Sequence, residues 1–145
     1  LDRRVPRGTQ DMEKLPAAER ERINDSLRAI SLSFVYQDGV QSLQQYFKQR
    51  GSRQYEELVY ARLGEFYLAK ERYNDAAGTY RAFLDSNPRH EQAPEFLVKT
   101  IQVYEKGKFP SLVLDTKKEF VRRFDKILNT GNIIQLMNHP RLLIT

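Results

Sequence analysis

The sequence predicts an all-α chain, a short solenoid of about three antiparallel helix hairpins. Three observations carry that prediction. Apolar residues recur at spacings of three and four from Ala17 to Phe124, the period of one helix face. Asp38-Gly39, Gly51 and Gly107 cut this pattern into helix-length pieces. One hairpin pattern, Glu57–Arg89, is flanked on each side by a weaker version of itself.

The chain of 145 residues is long enough for one domain with a real core. Eight Tyr and eight Phe, with no Trp, suit aromatic packing between helices. The absence of cysteine excludes disulfides, thiolate metal sites and a Cys nucleophile. No apolar run has the length of a membrane span. The net charge is +5, and its excess is local: Lys99–Lys126 carry eight basic and four acidic groups, whereas the rest is nearly balanced. That is a modest basic face, well short of a dedicated nucleic-acid binder.

In chain order, Leu1–Leu15 mixes Pro6, Gly8 and both charge signs without period and reads as a linker or frayed end. The start at Leu1 suggests a piece of a longer chain, any signal peptide having been removed. Pro16 suits a first helical turn, and Ile23, Leu27, Ile30 and Phe34 form one apolar face, so a helix is expected from about Pro16 to Tyr36. Val40, Leu43, Tyr46 and Phe47 mark a second helix that Gly51 caps. Two more are expected from about Tyr55 to Lys70 and from Tyr73 to Asn87. A fifth, lined by Leu97, Ile101 and Tyr104, runs from about Gln92 to Lys106 and is broken by Gly107. Leu112, Thr116, Phe120 and Phe124 line the last long helix.

The central hairpin, ELVYARLGEFYLAKERYNDAAGTYRAFLDSNPR, contains Tyr60-x-x-Leu63-Gly64-x-x-Tyr67, then Ala76-x-x-x-Tyr80, then Pro88. Gly64 and Ala76-Ala77 let two helices approach closely, and the tyrosines fill the space between them. Pro88 lacks a backbone donor, so its helix must stop near Asn87. In the flanking units, Lys108-Phe109 and Leu112-Val113 align with Arg72-Tyr73 and Ala76-Ala77, and Phe120 with Leu84. Ser42-Leu43 and Tyr46 align with Ala76-Ala77 and Tyr80.

Those seven positions resemble the tetratricopeptide repeat (TPR). The run YLAKERYNDAAGTYRAFLDSNPRHEQAPEF followed by KFPSLVLDTKKEFVRRF looks like units of bacterial envelope TPR proteins, of the outer-membrane assembly lipoprotein and Tol-Pal coordinator type. The likeness covers roughly Ala17 to Phe124. It implies a right-handed superhelix and a non-catalytic interaction scaffold in the periplasm or at the outer membrane, with the cytoplasm as the other possible compartment. It also implies a concave groove that holds a protein or peptide segment, lined by Leu58, Ala61, Arg62, Glu65 and Leu68. The carboxylate-clamp mode of some TPR domains is not expected, because only Arg62 fits and Glu65 would repel a carboxylate.

Other candidates carry less. His90 reads as a turn residue and His139 as a tail residue; neither has the converging ligands that a metal needs. Glu56, Glu57 and Glu65 read as solvated helix carboxylates, without the phosphate loop or base of an active site. Lys117, Lys118, Arg122, Arg123 and Lys126 form a basic face, interleaved with Asp115, Glu119 and Asp125 that can pair with it. No cofactor, metal, catalytic residue or nucleic-acid partner is expected. The alternatives are a polyanion adaptor, for RNA or cell-wall polymer, acting through that basic helix, and a helical segment of a larger enzyme. Most tyrosines fall at core positions, leaving Tyr36 and Tyr55 freer to meet a partner. Asp125–Thr145 has an apolar patch at Ile133, Ile134, Leu136 and Met137 and is expected to cap the last hairpin or to mediate self-association.

Overall fold

The computed structural model describes residues 12–51 and 54–124. Those residues form helices joined by short turns, with no strand. Six helices follow one another: α1 (Ala17–Val35), α2 (Val40–Arg50), α3 (Glu56–Ala69), α4 (Tyr73–Ser86), α5 (Ala93–Lys106) and α6 (Pro110–Arg123). Boundaries lie within about one or two residues of those expected, the normal uncertainty of a helix end. Ahead of α1, Met12 is buried in the core and the Leu15 carbonyl accepts a hydrogen bond from Arg20.

None of the six helices has a side-chain hydrogen bond at its N-cap. Their stability therefore comes from packing of one face, as is usual for helices of this length. Pro110 opens α6 and Pro94 sits in the first turn of α5, where a missing N–H costs nothing. The α3–α4 and α5–α6 turns are closed identically. Arg72 N–H donates to the Tyr67 carbonyl at 2.9 Å and Phe109 N–H to the Tyr104 carbonyl at 2.9 Å, while Glu71 and Lys108 donate one step further in. These are Schellman closures, whose pivot residue must be left-handed. The pivots are Glu71 (φ 58°) and Lys108 (φ 61°), neither of them a glycine. Gly107, expected to break α5, has ordinary helical φ; it is needed because a Cβ there would lie 2.5 Å from the Phe109 ring.

The hydrogen bonds also fix the internal repeat. Glu56 opens α3 and Ala93 opens α5, 37 positions later; Tyr73 and Pro110 open α4 and α6 at the same interval. Thr79 Oγ1 donates to the Asp75 carbonyl and Thr116 Oγ1 to that of Leu112, again 37 apart. Val113 therefore stands where Ala76 does, and Phe120 where Phe83 does, one residue from the alignment that the sequence suggested. The first unit is shifted likewise. Gly39 N–H closes its turn onto Phe34, and Leu43 N–H bonds Gly39 as Ala76 N–H bonds Arg72. Leu43 thus answers to Ala76, and Phe47, rather than Tyr46, to Tyr80.

Packing follows chain order from α3 onward: α3 on α4, α4 on α5, α5 on α6. The long α1 lies chiefly on α3, and α2 touches α1, α3 and α4 more lightly. The buried side of α1 is Leu27, Ser31 and Phe34. Ile30, expected inside, is exposed, and its neighbour Ser31, 33 positions before Gly64, is buried instead. On α6 the buried side is Thr116, Phe120 and Phe124, while Leu112 turns outward. The expected core positions Tyr60, Leu63, Gly64, Tyr67, Ala76 and Tyr80 are all buried, and Pro88 follows the end of α4 at an exposed turn. A chain of ring contacts runs from Phe34 through Tyr46, Phe47, Tyr60, Phe83 and Phe96 to Tyr80.

Gly64 lies at the α3–α4 crossing, where an added Cβ would stand 2.2 Å from Tyr80 Cε1. Gly64→Ala should therefore destabilise by about 1–3 kcal/mol through overpacking, despite the higher helix propensity of alanine. Urea unfolding of Gly64→Ala, Tyr80→Leu and the double variant checks this. The double variant should lose less than the sum of the singles, since leucine clears the space that the new methyl takes.

Candidate functional site

Arg62 is the residue around which the expected groove organises. It projects from α3 toward α1, and its guanidinium is divided between two partners. One nitrogen meets the Glu65 carboxylate at 3.1 Å and the other donates to Asn24 Oδ1 of α1 at 2.7 Å. The three- and four-residue periodicity places Arg62, Glu65, Phe66 and Ala69 on one side of α3. Opposite them, α1 presents Asn24, Asp25, Arg28, Ser31 and Leu32. The two helices enclose a cleft of about 430 Å³.

At its floor, Ser31 is 2% exposed and its hydroxyl has no hydrogen-bond partner among the described residues. A buried hydroxyl without a partner costs about 1–3 kcal/mol relative to a satisfied one, so it favours any group that can bond it. Arg28 and Asp25 lie at the same cleft, which therefore offers both charge signs, an amide, a hydroxyl and the half-buried edge of Phe66.

Three of the five groove residues expected from sequence are placed differently. Leu58 and Ala61 are 2% and 6% exposed, inside the core beneath α1, out of reach of a partner. Leu68 is half-buried and does not line the cleft. Arg62 and Glu65 remain. The α1 residues were missed because Ile23, Leu27, Ile30 and Phe34 gave that helix an apolar face and left its polar face without a role. A usable signal was Ser31, a small polar residue 33 positions before Gly64.

The basic face of α6 is partly neutralised. Arg123 meets Glu119 at 3.3 Å, Lys117 lies 3.8 Å from Glu105, and Glu119 also takes Arg81 of α4 at 3.1 Å. Lys118 and Arg122 have no carboxylate partner among the described residues. Lys126, His139 and the whole of Asp125–Thr145, on which the capping and self-association expectations rest, lie outside the described residues.

Glu56 and Glu57 are buried, contrary to the solvated reading; they sit in the first turn of α3, where the helix dipole favours negative charge. The Asn87 amide approaches Glu56 at 3.4 Å. Glu65 is exposed, as expected. His90 accepts the Gln92 N–H at Nδ1 and packs edge-on against Phe83 at 5.0 Å, so it shapes the α4–α5 turn. Tyr36 is 87% exposed, whereas Tyr55 packs against Phe47. Among the described residues no three His, Asp or Glu side chains converge as metal ligands, and no helix is long and apolar enough to cross a membrane.

Comparison with protein-family models, with curated proteins and with solved structures finds no match to this chain.

Glu105 gives a test of the electrostatics. Burial raises its carboxyl above the ordinary value of 4.5, and Lys117 offsets that only in part. The native state therefore binds this proton more tightly than the unfolded chain, so stability from this group declines as pH rises through 4.5 and beyond. Glu105→Gln should raise the melting temperature at pH 7, and the gain should vanish below about pH 4. A gain that persisted at low pH would mean that the benefit comes from packing rather than from the charge.

Proposed function

We propose that the chain is a non-catalytic interaction scaffold of the tetratricopeptide type, and that the α1–α3 cleft holds a segment of a partner protein. The observation that carries this reading is the cleft itself. Two successive first-of-hairpin helices converge on Arg62, Asn24 and an unsatisfied buried Ser31 hydroxyl. Polar groups of that kind read the backbone and side chains of an extended chain. Ser31 Oγ makes no hydrogen bond to a histidine or carboxylate among the described residues, which supports a binding role over a nucleophilic one.

The tetratricopeptide assignment, with its right-handed superhelix, is supported by the buried Tyr60, Leu63, Gly64, Tyr67, Ala76 and Tyr80 pattern. The spacing of 37 departs from the family period of about 34; the extra length lies in the turn from Asn87 to Gln92. Service in the bacterial envelope, in the periplasm or at the outer membrane, belongs to the same proposal and rests on the resemblance of the Tyr67–Phe96 and Lys108–Phe124 stretches. A polyanion adaptor role draws less support, because Lys117 and Arg123 are engaged with Glu105 and Glu119.

Panning a random dodecapeptide library against the protein, then measuring selected peptides by fluorescence polarisation, tests the reading. The best peptide should lose at least tenfold in affinity on Arg62→Glu or Arg28→Glu, and less than threefold on Lys118→Glu. Its affinity should fall gently with salt. A polyanion site predicts the opposite: tight, steeply salt-dependent binding of a 20-nucleotide poly-U strand that Lys118→Glu and Arg122→Glu abolish.

A further inference from the structure

The helix α2 ends early. Matched to α4 by its closing hydrogen bonds, it should run about a turn further, but it stops at Arg50, where Gly51 leaves the helix at φ 82°. A second cleft, about 980 Å³, lies between α2, the start of α3 and the end of α4. One wall is a row of carboxamides, Gln41, Gln45 and Gln49, with Gln44 beside it; the floor includes Phe47 and Tyr60.

Two features of this cleft point to a ligand. First, Tyr60 is fully buried and its hydroxyl has no hydrogen-bond partner among the described residues. Burial and the nearby Glu56 carboxylate hold that phenol well above its usual range, so it stays an O–H donor at any physiological pH. Second, the carboxamides are evenly spaced. Residues four apart on a helix are separated by about 6 Å along its axis. An extended chain presents successive outward peptide groups on one edge at about 6.6 Å. A side-chain amide carries the same donor and acceptor pair as a peptide group. Gln41, Gln45 and Gln49 therefore match alternate peptide groups of an extended strand about four residues long.

The same residues argue against other ligand classes. Phe47 and Tyr60 are too deeply buried to offer a sugar a stacking face. A single lysine, Lys48, set against Glu56 makes a poor polyanion site.

We infer that this cleft is a second binding site, distinct from the α1–α3 cleft, which takes the backbone of an extended, largely uncharged polypeptide segment. The glutamine row pairs with its peptide groups, and the Tyr60 hydroxyl donates to one of its carbonyls.

The test uses the full chain with the first cleft disabled, Arg28→Glu/Arg62→Glu, as bait for a random decapeptide library. The best peptide recovered should bind the unaltered protein equally well, which separates this site from the first. Its affinity should fall at least tenfold on Gln41→Ala/Gln45→Ala/Gln49→Ala, a change confined to exposed side chains, and at least threefold on Tyr60→Phe. N-methylation at alternate peptide residues should abolish binding, while N-methylation of the intervening residues should leave it within threefold. Failure to recover any peptide, retention of affinity by the triple glutamine variant, or equal sensitivity to N-methylation at every residue would overturn the inference.

Discussion

Phe83 is the contact on which the rest of the structure depends. Its ring stacks on Phe96 of α5 at 4.1 Å, tilts against Tyr60 of α3 at 5.5 Å and meets His90 edge-on. From Tyr60 the contacts pass to Phe47 and Tyr46 of α2 and to Phe34 of α1, and from Phe96 back to Tyr80. Each aromatic pair adds on the order of 0.5–1.5 kcal/mol beyond the area that it buries. More important is connectivity. Five helices without side-chain caps share one run of rings, so hairpins that would be marginal alone become a single core.

The helices were legible in the sequence because their signals are local. Apolar spacing, Pro110 and Pro94 near helix starts, and a stop before Pro88 each act within a turn or two. Gly64 was legible too, since a glycine flanked by tyrosines on a helix face has one common use. The register of the outer units was not. In the sequence, Leu112-Val113 looks like the better partner for Ala76-Ala77, because both its residues are apolar. The structure turns Leu112 outward and half-buries Val113, as the turn hydrogen bonds require. Ser31 was passed over for the same reason. Hydrophobicity favoured Ile30, yet the helix is turned so that Ser31 is the buried one of the two.

Glu56 and Glu57 show the limit of composition. Carboxylates at the start of a helix read as exposed, yet here they are covered and held by the α3 N-terminus and, for Glu56, the Asn87 amide. Nothing near them in sequence announces Asn87, which lies at the far end of α4. The cleft residues Asn24 and Arg62 were invisible as a pair for a like reason: they are 38 positions apart and meet only because α1 lies on α3.

Both clefts sit where the repeat departs from itself. In α1 serine stands where α3 has glycine, and its buried hydroxyl has no partner among the described residues. In the other case α2 ends a turn short of its match in α4, and Tyr60 and the glutamine row line the cleft beside that end. Local rules broken inside an otherwise consistent core mark places where stability has been yielded to another demand. That a buried donor goes unsatisfied among the described residues at both departures, and at each one beside a cleft, is the strongest structural reason to look for binding there rather than on the partly paired charges of α6.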